Sequence, residues 1–270
     1  MKRTFLASVL LLAANVLASA QFTGIDLDRL EMLLMQLSDF PQDNATLIVE
    51  STLKTLSTDP KSYRRAVAAC DRLGDPADSL HNEVLYLTTL ESVCRDYVLS
   101  ASELARPKAL LAIARKNAIG TAATDLTLTM PDGSTRQMLG GKLTLVYFND
   151  PSCESCEQVK ANIAANETLQ AFVTDGSAEV VAVCTTDEKS WRNTTYPEWV
   201  VNTIDRGRAI ENDEAYVLPT MPLFYLIAPD GTVLLKNEPS LKRAVTALSL
   251  AANSSSLPSA QLAKLIFNVK

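Results

Sequence analysis

The motif that most constrains this chain is Cys153-Glu154-Ser155-Cys156, which directly follows the apolar segment 143–148. A short, continuous apolar run bounded by a turn predicts a buried strand, and the two cysteines then lie at or near the start of a helix. Two cysteines at this spacing can close a small disulfide ring, and the helix N-terminus stabilises a thiolate on the first. The motif therefore predicts a redox pair in which Cys153 attacks a partner disulfide and Cys156 resolves the mixed disulfide.

The chain around this motif has the pattern of an α/β domain from residue 120 onward. Turns are indicated at 131–133 and 229–231, where proline, aspartate and glycine follow one another. A helix is expected at about 240–252. Strands are expected at 125–129, 143–148, 179–184, 223–227 and 232–235. This order predicts a sheet of mixed strand directions flanked by helices.

The first half has a different pattern, because its leucines recur at helical spacing. Asp59-Pro60 is typical of a helix start, with aspartate as the N-cap and proline at the first helical position. Pro76 is expected to begin the next helix in the same way. The sequence therefore predicts a helical N-terminal domain over 21–119, an α/β domain over 120–256 and a C-terminal tail over 257–270.

The first twenty residues have the pattern of a signal peptide. Lys2 and Arg3 precede the apolar run 5–17, and the small residues 18–20 supply a cleavage pattern. The alternative is an uncleaved membrane anchor, for which the run is short. Export would place the five cysteines where disulfides persist.

Two segments resemble the signatures of thioredoxin-like proteins, and in particular of the TlpA/ResA-like periplasmic thiol-disulfide oxidoreductases. Residues 145–156 resemble the active-site strand and helix start of this family. Residues 216–231 resemble its proline loop with the strand and glycine hairpin that follow. By this match Pro222 is the cis-proline facing the dithiol and Met221 precedes it, with Pro219 as the alternative cis residue.

The resemblance covers about residues 125–252 and implies an α/β thioredoxin-like fold preceded by an all-α domain. It implies a periplasmic enzyme whose partners are protein thiols and disulfides, with a membrane reductase upstream. In the family the cis-proline loop exposes backbone that pairs with an extended substrate next to the dithiol, so Met221 and Pro222 are the expected substrate-binding residues. No cofactor is implied.

The departures from the family pattern favour one direction of electron flow. Ser152 replaces the usual tryptophan, and Tyr147 replaces the buried acid of thioredoxin. Glu154 and Glu157 add negative charge beside the cysteines, which opposes a very low thiolate pKa. Because a strong oxidant needs a heavily stabilised thiolate, the sequence favours a reductase, or an isomerase that is reduced by another protein.

The other cysteines and the single histidine leave alternatives open. Cys184 ends a predicted strand and is interpreted as a core residue, with a third redox thiol as the alternative. Cys70 and Cys94 lie on different predicted helices and are either core residues or bridged. A closed zinc site needs about four ligands. With His81 as the only histidine and no second close cysteine pair, no metal is expected.

Composition excludes one class of function. The net charge of −6 and the absence of a lysine and arginine cluster do not fit a nucleic-acid binder. Trp191, Tyr196, Pro197 and Trp199 form an aromatic segment that either packs on its own domain or covers the dithiol. A thioredoxin-fold binding module without redox turnover remains the alternative function. Peroxide reduction is not favoured, because the Thr-x-x-Cys motif expected around a peroxidatic cysteine is absent at Cys153.

Overall fold

The computed structural model describes residues 27–268 except 38 and 187, so the predicted signal peptide lies outside the described residues. The chain divides into two compact units between Arg115 and Lys116. This division precedes residue 120, where the sequence predicts it, because 116–119 are bonded to the second unit. The Asn117 amide donates to the Ala215 carbonyl at 2.8 Å and accepts the Thr124 N–H at 2.7 Å.

The first unit is helical, as predicted. Its α-helices are α1 Leu27–Leu37, α2 Gln42–Leu56, α3 Pro60–Cys70, α4 Glu83–Arg95 and α5 Ala101–Ala114, with a 3₁₀ turn at Asp71–Gly74. Asp59 caps α3 by accepting the Lys61 N–H, as its sequence predicts. The described helices of the chain include none that is long and apolar enough to cross a bilayer.

The expected helix start at Pro76 is wrong. The Asp78 carboxylate accepts the Leu80 N–H at 2.9 Å and pairs with Arg72 at 2.7 Å, which keeps this segment in turns. The helix begins only after Asn82, whose side chain accepts the Leu85 N–H at 3.0 Å. A better N-cap further along the chain therefore defines the start of α4.

The second unit contains one sheet of seven strands in its described residues. The strands are β1 Thr127–Thr129, β2 Thr135–Gln137, β3 Leu143–Asn149, β4 Ala178–Cys184, β5 Val200–Ile204, β6 Leu223–Ile227 and β7 Val233–Glu238. Their order is β2-β1-β5-β4-β3-β6-β7. β3, β4 and β5 are parallel, whereas β6 and β7 add antiparallel to one edge and β1 and β2 to the other. The predicted mixed sheet flanked by helices is confirmed.

Helices cover the sheet, and the residues at its centre are buried. They are α6 Glu154–Ala164, α7 Glu167–Thr174, α8 Glu188–Arg192, α9 Ala209–Asn212, α10 Leu241–Asn253 and α11 Ser259–Ile266. All seven residues of β3 are buried. Alternate β3 side chains join two apolar cores, with Tyr147 in one and Phe148 in the other. Because β3 is central, its carboxyl end is a fixed position from which the cysteine motif projects.

The described part of the predicted C-terminal tail 257–270 is instead largely helical, with α11 at Ser259–Ile266. α11 buries Leu262, Ala263 and Ile266 against the core that also holds β3. The Ser259 hydroxyl donates to the Asp230 carboxylate at 2.8 Å, which fixes the start of the helix. The domain therefore extends past residue 256, because this short segment has one apolar face to bury.

Candidate redox site

The turn between β3 and α6 is held by short-range hydrogen bonds. The Asn149 amide donates to the Val183 carbonyl at 3.1 Å, and this bond ties the end of β3 to β4. The Asp150 carboxylate then accepts the N–H and the hydroxyl of Ser152, at 2.8 and 2.7 Å. It also accepts the Thr186 hydroxyl at 3.2 Å. The backbone that leads into Cys153 is thereby fixed to β4 and to the residues that follow it.

Cys153 is the N-cap of α6. Its sulfur accepts the backbone N–H of Cys156 at 3.4 Å and lies 3.0 Å from the hydroxyl oxygen of Ser155. Partial burial raises the pKa of the Cys153 thiol, but hydrogen bonds from Cys156 and Ser155 outweigh that effect and place the pKa below its ordinary value of 9.0. A half-buried sulfur with a lowered pKa can act as a nucleophile near neutral pH.

Cys156 has the opposite environment. Its side chain is on the inner face of the first turn of α6, and the residue is only 2% exposed. Burial raises the pKa of the Cys156 thiol to about 12, because the charged form is removed from water. The two cysteines therefore differ strongly in acidity although three positions separate them.

The loop before β6 reaches the same place. The Ser155 hydroxyl donates to the carbonyl oxygen of Met221 at 3.5 Å. The peptide bond between Met221 and Pro222 is cis, and no cis bond occurs at Pro219 or elsewhere in the described residues. The fold thus brings together the four residues that the sequence singles out, namely Cys153, Cys156, Met221 and Pro222.

Tyr147 lies directly beneath the motif. Its hydroxyl donates to the Cys156 carbonyl at 2.7 Å, and its ring stacks on Phe224 with centroids 5.2 Å apart. Burial raises the pKa of Tyr147 above its ordinary value, so the hydroxyl stays protonated as a donor. Where thioredoxin has a buried acid, this chain therefore has a fixed hydrogen-bond donor that supports the helix.

The contacts of Tyr147 predict that this residue stabilises the fold without affecting the redox chemistry of the cysteine pair. We expect Tyr147→Phe to lower the free energy of unfolding by about 1 kcal/mol, because one buried hydrogen bond is lost. We expect the reduction potential of the cysteine pair to be unchanged. Chemical denaturation measures the first quantity and thiol titration the second; a shifted potential with unchanged stability would contradict the supporting role of Tyr147.

Of the remaining cysteines, Cys70 and Cys184 are buried and Cys94 is partly buried. Cys184 is buried in a cluster with Trp191 and Ile204, which fits its interpretation as a core residue. Cys70 and Cys94 are both free thiols, so the structure has no bridge between them.

The aromatic segment packs on its own domain. Trp191 is 1% exposed and donates its ring N–H to the Asn202 side chain at 2.8 Å. Tyr196 and Trp199 are half-buried against the core of the sheet. These contacts favour packing on the domain, and Tyr196 is the member of the segment that lies near enough to Cys156 and Tyr147 for their charges to interact.

The contribution of Thr186 and the full role of Asp150 could not be predicted from the sequence. Thr186 is far from the motif in sequence, and it reaches Asp150 only because Cys184 pairs with Asn149 at the ends of β4 and β3. The pairing of residues between two parallel strands depends on both segments, so neither segment alone predicts it. The Asp-x-Ser pattern at 150–152 is the one local signal, since aspartate commonly bonds the backbone two residues ahead.

Comparison with known proteins supports the fold. No family model and no curated protein matches the chain. Among solved structures, a thioredoxin-like protein from Bacteroides caccae is 25% identical with a TM-score of 0.73, covering 82% of this chain and 80% of that one. The match is longer than the second unit alone, so it extends into the helical unit.

Two partial matches are to single domains. The C-terminal domain of an uncharacterized protein from Bacteroides fragilis is 26% identical with a TM-score of 0.46, covering 50% of this chain and 99% of that one. The thioredoxin domain of a thiol-disulfide oxidoreductase from Bacteroides vulgatus is 22% identical with a TM-score of 0.38, covering 46% and 90%.

The second unit thus has the thioredoxin-like fold that the two sequence motifs imply, preceded by a helical unit. By this fold and the structural match over 82% of the chain, the chain is a member of the thioredoxin-like superfamily.

Proposed function

We propose that this protein is a thiol-disulfide oxidoreductase in which Cys153 is the nucleophile and Cys156 the resolving thiol. The observation that carries the proposal is the difference between the two sulfurs. Cys153 is half-buried with a lowered pKa, whereas Cys156 is buried with a pKa raised to about 12. An attacking thiol must be ionised and accessible, while a resolving thiol must stay protonated until the mixed disulfide forms.

The chemistry balances over two exchange steps. The Cys153 thiolate attacks one sulfur of a partner disulfide, forming a mixed disulfide and releasing the other partner sulfur as a thiolate that takes a proton from water. Cys156 then loses its proton and attacks Cys153, which releases the second partner thiol and leaves a disulfide between Cys153 and Cys156. The partner gains two electrons and this protein loses two.

The substrates we propose are protein disulfides, and the direction we propose is reduction. Glu154 and Glu157 lie in the first turn of α6, where negative charge opposes strong thiolate stabilisation. Met221 and Pro222 are the proposed substrate-binding residues, because the Ser155 hydroxyl contacts both the Met221 carbonyl and the sulfur of the nucleophile Cys153.

The N-terminal segment supports the proposed location, and the resemblance to periplasmic oxidoreductases supports the proposed electron donor. Residues 1–20 have the pattern of a cleaved signal peptide, which supports a periplasmic location. A reductase in an oxidising compartment needs a continuing supply of electrons. A membrane reductase upstream is therefore part of the proposal.

The first experiment is the reduction potential of the Cys153–Cys156 couple, measured by mass-tagging free thiols across dithiothreitol and glutathione buffers. We expect a reversible two-thiol transition below about −230 mV. A transition near about −120 to −180 mV would contradict the reductase direction and indicate an oxidase or isomerase. The double variant C153S/C156S is the control, because it retains the other three cysteines and must lose the transition. Absence of a reversible transition in the unaltered protein would contradict the redox function and leave the binding module.

A further inference from the structure

The Ser155 hydroxyl lies between two groups that the proposed reaction uses. Its oxygen is 3.0 Å from the Cys153 sulfur and 3.5 Å from the Met221 carbonyl oxygen. Ser155 is exposed in the first turn of α6, so little packing restricts rotation of its hydroxyl. The two contacts therefore join the nucleophile to the loop before β6 through one side chain.

A hydroxyl group has one proton to donate, whereas its oxygen can accept a second hydrogen bond. A neutral Cys153 thiol can donate its own proton to Ser155, and Ser155 can then donate onward to the Met221 carbonyl. A thiolate has no proton and needs a donor, and hydrogen bonds to charged groups are stronger than those between neutral groups. Ionisation of Cys153 therefore favours rotation of the Ser155 proton toward sulfur and away from Met221.

We propose that Ser155 couples the ionisation of Cys153 to the availability of a backbone acceptor for substrate. While Cys153 is a thiol, the Ser155 hydroxyl donates to the Met221 carbonyl and occupies one of its two acceptor lone pairs. Once Cys153 is a thiolate, the hydroxyl donates to the sulfur, and the Met221 carbonyl is open to an N–H of an extended polypeptide. The site then binds its substrate backbone best in the state that can react, and this inference rests on the proposed exchange reaction.

Two features of the surroundings support a role for this one hydroxyl. Met221 and Pro222 have no ionisable side chain. The contact through Ser155 is therefore what connects this segment to the charge on the Cys153 sulfur. The neighbouring Ser152 hydroxyl donates to Asp150 instead, at 2.7 Å, and is not placed to do the same. The ionisable groups around the two cysteines are Tyr147, Asp150, Glu154, Glu157 and Tyr196.

The first measurement is the pH profile of Cys153 alkylation by iodoacetamide in the reduced full chain. We expect the apparent pKa of Cys153 to rise by about one unit in Ser155→Ala and to return toward the original value in Ser155→Thr, which retains a hydroxyl. Ser152→Ala is the matched control and should leave the profile unchanged. An unchanged profile in Ser155→Ala, or an equal shift in Ser152→Ala, would overturn the proposal.

The second measurement separates the effect of Ser155 on the Met221 carbonyl from its effect on the Cys153 sulfur. With insulin as an extended protein disulfide, Ser155→Ala should lower kcat at neutral pH by up to about tenfold and also lower KM, because the Met221 carbonyl is permanently open. With hydroxyethyl disulfide, which has no backbone, KM should not change. An unchanged KM for insulin would overturn the coupling. If the unaltered protein turned over neither disulfide, the proposed function would fail, whereas the alkylation profile would still report whether Ser155 acts on Cys153.

Discussion

Replacing Cys156 by serine is expected to convert a transient mixed disulfide into a lasting one. Cys153 remains half-buried with its hydrogen bonds from Ser155 and the backbone, so its attack on a partner disulfide should proceed. The resolving thiol normally acts from a fixed position three residues away, which corresponds to a high effective concentration. Without it, release of the partner should slow by roughly a thousandfold.

The adduct can be measured after mixing Cys156→Ser with insulin, by non-reducing electrophoresis and mass spectrometry of the linked peptides. Cys153→Ser is the matched control, because it makes the same chemical change on the other sulfur and should form no adduct. We expect both variants to lose insulin reduction. An adduct through Cys156 in Cys153→Ser would contradict the assigned order of attack.

The parts of this site that could be predicted from sequence are those with a local physical cause. The apolar run of β3 and the cysteine spacing are each complete within a few residues, so the strand and the helix start could be predicted, while the order of the two thiols stays a prediction. The observed N-cap is Cys153 itself, which is where the sequence places the helix start.

The parts that could not be predicted depend on pairing between distant segments. β5 directly follows the aromatic segment, and its strand character appears only when Val200 pairs with Val180 of β4. The contact of Ser155 with Met221 likewise depends on β6 lying antiparallel beside β3, with Phe148 opposite Leu223. Such registers are chosen by the packing of a whole face of the sheet, and a single segment does not contain that information.

The acidity difference between the two cysteines predicts highly selective modification of the folded, reduced protein. A thiol reacts with iodoacetamide as its thiolate. With a pKa of about 12, only about one Cys156 in 10⁵ is ionised at pH 7, and its sulfur is also buried. Cys153 has a pKa below 9.0, so its thiolate fraction at pH 7 is larger than that of an ordinary cysteine. We expect Cys153 to be alkylated at least about a thousand times faster than Cys156.

The same measurement includes the other three thiols. Burial raises the pKa of Cys70 to about 12, Cys94 has a raised pKa for the same reason, and Cys184 is 1% exposed. Peptide mapping at short times should therefore find the label on Cys153, and in denaturant all five cysteines should react at similar rates.

The pH dependence follows from the directions of the two shifts. The rate at Cys153 should rise with pH and reach half of its maximum at a lower pH than for an ordinary cysteine, because its folded pKa lies below the ordinary value. The rate at Cys156 should keep rising toward pH 12, where its buried thiol ionises. Equal rates at the two cysteines at neutral pH would contradict the asymmetry on which the whole mechanism depends. If the disulfide still formed reversibly, the order in which Cys153 and Cys156 react would need another physical cause.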